Sequence, residues 1–537
     1  MYKFTPTIKN DRRKITMSVP SSSLSLRAWM VILSVGVLIF IINIDYTAVN
    51  LTLVPISEEI NAELSSLQWL MSAYVLVWAA FVIPAGRVAD IYGKQNSLIA
   101  GLVIFMAGSC LTGFGHSLEM LILGRILQGI GAAVFSAPAW AIIFTSAPPE
   151  KQGFVMGIIL SFGGLGMATG PTLAGFIIEE ASWRWIFYIN IPLGLIVIAV
   201  LKLYAQKEIL ADVKGKIDYM GVILLSAGLC ISVYGLNQIE VWGPASQQLW
   251  AVIAFGIFLI GLFLFTEQRK KVRMIPSHLF RNKAYMAATF GEFFIAMVFS
   301  MTLVMMGLYL QNTLHYSSYE AGLIFIAMTI SMGLLSPIGG KMVDVFGIKS
   351  PMVFGAVTTA IGAGMMAFLK IDSSLLYVVT ALFVVGTGLG AYFTACSTAM
   401  MRSVPQGDLN LASGVFMMFM MMGNTLSIIL STSFVVLFGQ SHLLQSSAKQ
   451  GIVLSPQQHQ DLVEIISKVE HSASQLKDFA PDQIQPLLNL VDQAFVYGMN
   501  LNMMFGVLFS LIAVGFTLWG IGNLKASEVH GHAPVAM

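Results

Sequence analysis

Apolar stretches long enough to cross a bilayer recur from Ala28 to Leu524, and charge falls almost entirely between them. Such a chain has few folding options. Hydrocarbon offers no water to backbone N–H and C=O groups, so only helices and closed barrels can span it. About 20 apolar residues make one helical crossing. Windows of that length lie at roughly 28–50, 64–85, 97–115, 118–138, 154–178, 184–204, 218–238, 248–266, 284–310, 320–341, 350–369, 373–398, 410–438 and 495–523. With 56% hydrophobic and 10% charged residues, the chain lies far from soluble domains. The expected fold class is an all-α integral membrane protein with 14 transmembrane helices.

Fourteen spans put both termini on one side, and most of the 29 basic residues fall on that side with them. The densest group is Arg269, Lys270, Lys271, Arg273, Arg281 and Lys283. By the positive-inside rule this side is cytoplasmic, which predicts a multi-pass protein of the inner or plasma membrane. A net charge of +2 gives no reason to expect nucleic acid, and the basic loops suit insertion and anionic lipid. The first span is too long for a signal-peptide core and lacks a clear cleavage site. Cys110, Cys230 and Cys396 are dispersed among the spans, which argues against a disulfide framework or a metal site.

A short charged signature occurs twice between spans. One copy reads Gly86-Arg87-Val88-Ala89-Asp90-Ile91-Tyr92-Gly93-Lys94, the other Gly340-Lys341-Met342-Val343-Asp344-Val345-Phe346-Gly347. They follow the second and tenth spans, an offset of eight. Two six-helix repeats with two inserted helices fit that offset. The divisions are a cytoplasmic segment 1–27, a first repeat 28–204, the inserted pair 205–270, a second repeat 271–523 and a tail 524–537. A polar stretch, 439–493, interrupts the second repeat on the outer side. Leu462, Val463, Ile465, Ile466 and Val469, then the run from Pro481 to Leu490, have helical spacing. They predict a helical hairpin over the outer mouth, or a loop with nascent helix, where an adaptor would have room to dock.

Few side chains inside the spans carry chemistry. An aspartate near mid-membrane costs roughly 2.5–3.5 kcal/mol on insertion scales, so Asp45 needs a wet cavity, a cation or a proton. Arg125 lies at a comparable depth by residue count, so an ion pair is geometrically open to the two. Such a pair reads either as a proton switch, since protonating Asp45 removes the attraction, or as a permanent structural tie. Glu292 is the other deep carboxylate. It suits a cationic ligand or a second proton, or else lies near enough to the surface to be merely hydrated. Gly157, Gly166, Gly170, Pro171 and Gly175 allow close helix contact and a kink in the fifth span. Trp69, Tyr74, Phe293, Gln311, Phe416 and Met420, with Glu292, are the candidate lining of a substrate cavity; core or lipid packing is the plainer role for each aromatic and methionine. No Walker loop, H-E-x-x-H or G-x-S-x-G turn is present, so a transporter without cofactor is expected, driven by a proton gradient.

These motifs together resemble the major facilitator superfamily, and within it the fourteen-helix drug/proton antiporters. The two signature loops resemble that superfamily's loop motif, and Leu121 through Ala133 its fourth-helix motif. The Gly/Pro run ending at Gly175 resembles its antiporter motif, with Ala174 in place of a glycine. Asp45 through Asn50 and Trp183 through Pro192 are similar to stretches of the drug/proton antiporters. The resemblance implies proton coupling through Asp45 and Arg125. It implies gating at the loops through Gly86, Asp90, Gly93, Lys94, Gly340, Asp344 and Gly347. In the fifth helix Gly166, Gly170, Pro171 and Gly175 would shape the face toward the partner half. Met417 through Met422, apart from Phe419, replace residues that relatives often make polar, so an apolar cavity is expected. The function implied is proton-coupled export of amphipathic or lipophilic small molecules, with cationic ones open as substrates, by a monomer in the lipid bilayer. Protonating Asp45 would favour the state that releases substrate outward. A dedicated metabolite exporter or symporter of the same fold, and a non-transporting receptor or scaffold, are the alternatives.

Overall fold

A computed structural model of the chain describes residues 24–62, 64–205, 218–238, 242–243, 246–270, 273–449 and 481–522. The membrane-length helices are α1 (Leu26–Ile60), α2 (Trp69–Tyr92), α3 (Lys94–Gly113), α4 (Leu118–Ser146), α5 (Gln152–Glu180), α6 (Asn190–Tyr204) and α7 (Tyr219–Asn237). They continue as α8 (Gln247–Gln268), α9 (Lys283–Leu308), α10 (Ser318–Phe346), α11 (Lys349–Met366), α12 (Leu375–Arg402), α13 (Leu409–Lys449) and α14 (Pro481–Gly520). Thirteen spans among the described residues have the length and apolarity to cross a membrane. α11 completes fourteen: its 18 residues are diluted by a small, buried face of Gly355, Ala356, Thr359, Gly362 and Ala363.

The helix starts are written locally. Ser25, Ser117, Ser246, Asn282, Ser317 and Ser374 each accept a hydrogen bond from a first-turn backbone N–H of α1, α4, α8, α9, α10 and α12. Ser317 and Glu320 form a full capping box. The signature glycines do the reverse: Gly93 (φ 93°) and Gly347 (φ 85°) end α2 and α10 in a backbone conformation that side chains resist.

The packing is duplicated. α1 packs on α5 and α6, and α4 on α2 and α3; eight helices later α9 packs on α13 and α14, and α12 on α10 and α11. The halves meet through α2 against α13 and α5 against α10, which exchange under the same repeat. α7 and α8 pack on each other, and α7 lies against α2, so the pair is an addition to the flank of two six-helix repeats.

The stretch expected as an outer hairpin is different at both edges. α13 stays helical to Lys449, and Pro481 begins a helix that runs unbroken into the last span rather than a separate hairpin arm. Apolar-periodic residues such as Leu487, Leu490 and Val491 are buried there, which favours continuing the helix. Leu462 through Val469 lie outside the described residues.

Candidate functional site

Three features stand out: a charge cluster buried inside the first repeat, and, between the halves, a pair of joints at the end bearing the signature loops and two cavities.

Asp45 of α1 and Arg125 of α4 meet at 2.6 Å, both fully shielded from solvent. Asp45 Oδ1 also accepts from Gln128 Nε2 (3.1 Å) and Asn190 Nδ2 (3.2 Å), and both amides donate to Ser109 Oγ at 2.7 and 3.1 Å. Arg125 Nε donates to the Leu70 carbonyl at 2.7 Å, Nη1 donates to Gln128 Oε1 at 2.8 Å, and the guanidinium lies 4.2 Å from the Tyr74 ring centre. Five helices of the first repeat, α1, α2, α3, α4 and α6, thus contribute to the cluster around this carboxylate. Arg125 Nη2 and the Tyr74 hydroxyl have no hydrogen-bond partner among the described residues, so the cluster has unused donor capacity there. Sequence reasoning placed the pair but missed Ser109, Gln128 and Asn190. Gln128 had a signal, lying three residues after Arg125 on the same helix face.

At the signature end, each aspartate of the duplicated loop reaches across to a helix start in the other half. Asp344, on α10, accepts from the Gly153 and Phe154 backbone N–H groups of α5 at 3.0 and 2.8 Å. A carboxylate there is favoured by the helix dipole. Arg402 of α12 donates to Asp344 at 2.9 Å and to the Pro149 carbonyl at 2.8 Å. Asp90, on α2, accepts from Asn410 Nδ2 of α13 at 2.6 Å, and no cation contacts it among the described residues. Backbones approach closely at both joints. A Cβ on Gly86 would stand 2.6 Å from the Asn410 carbonyl oxygen, and one on Gly153 2.5 Å from that of Gly340. Lys94 is the first residue of α3, immediately beyond the joint. The sequence reading singled out neither Arg402 nor Asn410, which begins the thirteenth span as counted there.

Where α5 and α10 leave these joints they stay together as far as Ser161, whose hydroxyl donates to the Gly333 carbonyl at 2.5 Å, and Gly164, close to Met332 and Thr329. Here the expectation for the fifth helix is corrected. Gly166 and Gly170 turn toward Phe40, Asn43 and Thr47 of α1, in their own half; Gly153, Gly157 and Gly164 are the ones that face α10. The helix turns about 100° per residue, so glycines nine and thirteen positions past Gly157 sit on another side. Pro171 and Gly175 line a cleft instead.

Two cavities follow. A central one of about 170 Å³ is enclosed by both repeats, and Glu292, Phe416 and Met420 line it with Asn43, Trp78 and Asn424. Glu292 is 2% exposed, so the hydrated-surface alternative fails, and its Oε2 has no protein partner. A second cleft of about 650 Å³ opens at the end opposite the signature loops, lined from α1, α5, α9 and α10. Met167 and Phe299 border both, so the two are neighbours. Four expected cavity residues lie elsewhere. Trp69 stacks on Tyr234 of α7 at 5.7 Å, Tyr74 is spent beneath Arg125, Phe293 packs against Phe294 and Phe419, and Gln311 donates to the Gly307 carbonyl in a π-helical turn at the end of α9. Helices apolar all round carry no sequence signal for which face turns inward.

Known proteins share this architecture and sequence. The chain is 27% identical to the tetracenomycin C resistance and export protein of Streptomyces glaucescens, over 78% of each chain. It is 29% identical to the multidrug transporter protein MdtP of Bacillus subtilis over 68% of each, and 27% identical to the riboflavin transporter RibZ of Clostridioides difficile over 70% of this chain and 81% of that one. Among solved structures, the proton:xylose symporter XylE superposes with a TM-score of 0.58 at 14% identity, covering 94% of this chain and 98% of XylE. The human organic anion transporter MFSD10 gives 0.56 at 10% identity, over 91% and 97%. Those two share the fold alone. The sequence pattern of the Major Facilitator Superfamily matches residues 34–269 and 288–448, so this chain, a transporter rather than an enzyme, belongs to the Major Facilitator Superfamily.

Proposed function

We propose that the protein is a proton-coupled multidrug exporter of the fourteen-helix antiporter kind, carrying amphipathic or lipophilic and cationic small molecules. The observation that carries this reading is the Asp45–Arg125 pair, ionisable and withdrawn from solvent inside the first repeat. A buried pair is a poor stabiliser but a sharp switch, because its worth depends on one proton. Relatives named for export and drug resistance, at 27% and 29% identity, support the direction and the breadth of substrate.

The cycle we infer takes the signature end and both termini as cytoplasmic, as the basic residues favour. With the joints at Asp90 and Asp344 closed and the far cleft open, the protein faces outward. The pair is intact in this outward conformation, so the order differs from the sequence expectation. Protonation from outside would loosen an already outward state and favour its return, rather than drive opening. Glu292, at the central cavity, would hold a cationic group or a second proton. Protons and small molecules are the partners, and the protein works as a monomer in the bilayer.

The test is proton release from everted vesicles on adding a panel of lipophilic cations, in wild type and Asp45→Asn. Release in the wild type alone supports the reading. Equal release in both moves the coupling site, with Glu292 next in line. No release in either leaves dedicated carriage of one metabolite as the better reading, which the likeness to a protein named as a riboflavin transporter favours.

A further inference from the structure

The outward cleft differs from the central cavity in size, chemistry and the direction it faces. Ligand pockets for drug-sized molecules run to about 300–1,000 Å³. The central cavity, at about 170 Å³, is too small for one in this conformation, while the cleft at about 650 Å³ is large enough. The cleft exists because α5 and α10 separate. They touch from Gly153 and Gly340 up to Gly164 and Thr329, and beyond that a Cβ on Gly175 or on Gly322 would have no neighbouring atom within 4 Å.

The gap runs along the side of the bundle. Its lining residues Phe176, Leu323 and Tyr319 are 63%, 43% and 65% exposed, and Leu165, Ile330 and Leu334 on the same two helices present more apolar surface. A helix rises 1.5 Å per residue. From Met167 to Glu179 the cleft therefore climbs about 18 Å, from mid-membrane to the outer end of α5. Its inner end is apolar, at Met167 and Phe299. Its outer end carries Glu179, the one charged residue lining it, and no cation lines it among the described residues.

We infer that the cleft between α5 and α10 is a sideways exit for amphiphiles with a cationic head and a single apolar tail. The head is held at Glu179 while the tail lies along Phe176 and Leu323, open to the outer leaflet. The tail then passes from the protein to the hydrocarbon without crossing water. This rests on the exporter reading above and adds its route and substrate shape. An opening confined to the bundle axis would favour short, water-soluble cations. A side opening removes the cost of wetting a tail, which is about 0.8 kcal/mol for each CH₂.

The experiment uses everted vesicles and a series of alkyltrimethylammonium ions from hexyl to hexadecyl, with proton release as the readout. Tryptophan at an open position should fill the cleft without a clash. For Gly322→Trp we expect a loss of at least about tenfold for dodecyl and longer tails, and less than about twofold for hexyl. Gly261→Trp, on α8 with open space around it, controls for a large added side chain and should match wild type. Glu179→Gln should weaken the long cations several-fold and leave a neutral alkyl glycoside of equal length unaffected. Equal loss at every tail length, or no loss at any, overturns the exit while leaving the exporter reading in place. A wild type inert to the whole series ends both.

Discussion

Asp45→Asn is the substitution whose consequence can be worked furthest. It keeps the side chain's size and one oxygen, so the contacts from Gln128 (3.1 Å) and Asn190 (3.2 Å) can persist. It removes the acceptor of the 2.6 Å contact and faces Arg125 with an amide instead of a charge. Hydrogen bonds to charged groups contribute about 1.5–3 kcal/mol net. Stranding a fully buried partner costs about 3–5 kcal/mol. Arg125 keeps the Leu70 carbonyl and the Tyr74 ring, so the lower range applies. If the closed pair belongs to the outward conformation, losing 1.5–3 kcal/mol shifts the balance between the two faces by about 10- to 150-fold.

The shift can be read as an alkylation rate. Thr172 lines the outward cleft and is exposed, so a cysteine there reports its opening. With the native cysteines replaced, an impermeant maleimide should label Thr172→Cys at least about tenfold more slowly in the Asp45→Asn background at neutral pH. With each rate divided by the thiolate fraction of the reporter cysteine, acid should slow labelling of the wild type toward the variant's rate and leave the variant unchanged. Equal rates in the two backgrounds, with an intact acid response in the variant, would refute the assignment of the switch to Asp45. Adding Arg125→Gln should recover expression and thermal stability by removing the stranded charge, yet leave coupling absent.

Arg402→Ala takes away the cation at Asp344 but leaves its two backbone donors, so the joint should weaken by about 1–3 kcal/mol rather than fail; faster labelling of Val343→Cys, a position buried beside Gly153 in the closed joint, would show it. Arg402→Lys should recover only part of that, because one ammonium cannot reach Asp344, Gln152 and the Pro149 carbonyl together. Glu292→Gln should fold normally and lower the flux of cations by about tenfold while sparing neutral compounds of similar size, in a paired transport assay. Asn190→Ala removes one donor to Asp45, and a cost of about 0.5–1.5 kcal/mol should appear as a several-fold loss of coupled flux at unchanged expression.

The limits of the sequence follow from what a membrane makes expensive. Charge inside hydrocarbon is rare enough that Asp45, Arg125 and Glu292 stood out at once, and counting residues from the span ends put the first two level. The duplicated signature set the offset of eight and so the repeat pattern, because a glycine at positive φ and an aspartate three residues before it leave a trace in any sequence. Uncharged polar residues leave none. Ser109, Gln128 and Asn190 complete the Asp45 cluster, yet buried serines and asparagines are scattered through most of the spans, many bonded only to their own helix. Rotation was equally hidden. Trp69 and Tyr74 belong to the second span as Trp78 does, but only Trp78 lines the central cavity, and nothing in an apolar run distinguishes a turn facing a cavity from one facing α7 or Arg125. The glycines of α5 show the same gap. Their spacing announced close approach, but which neighbour each one meets is set by how α5 leans between α1 and α10, and that lean also opens the cleft.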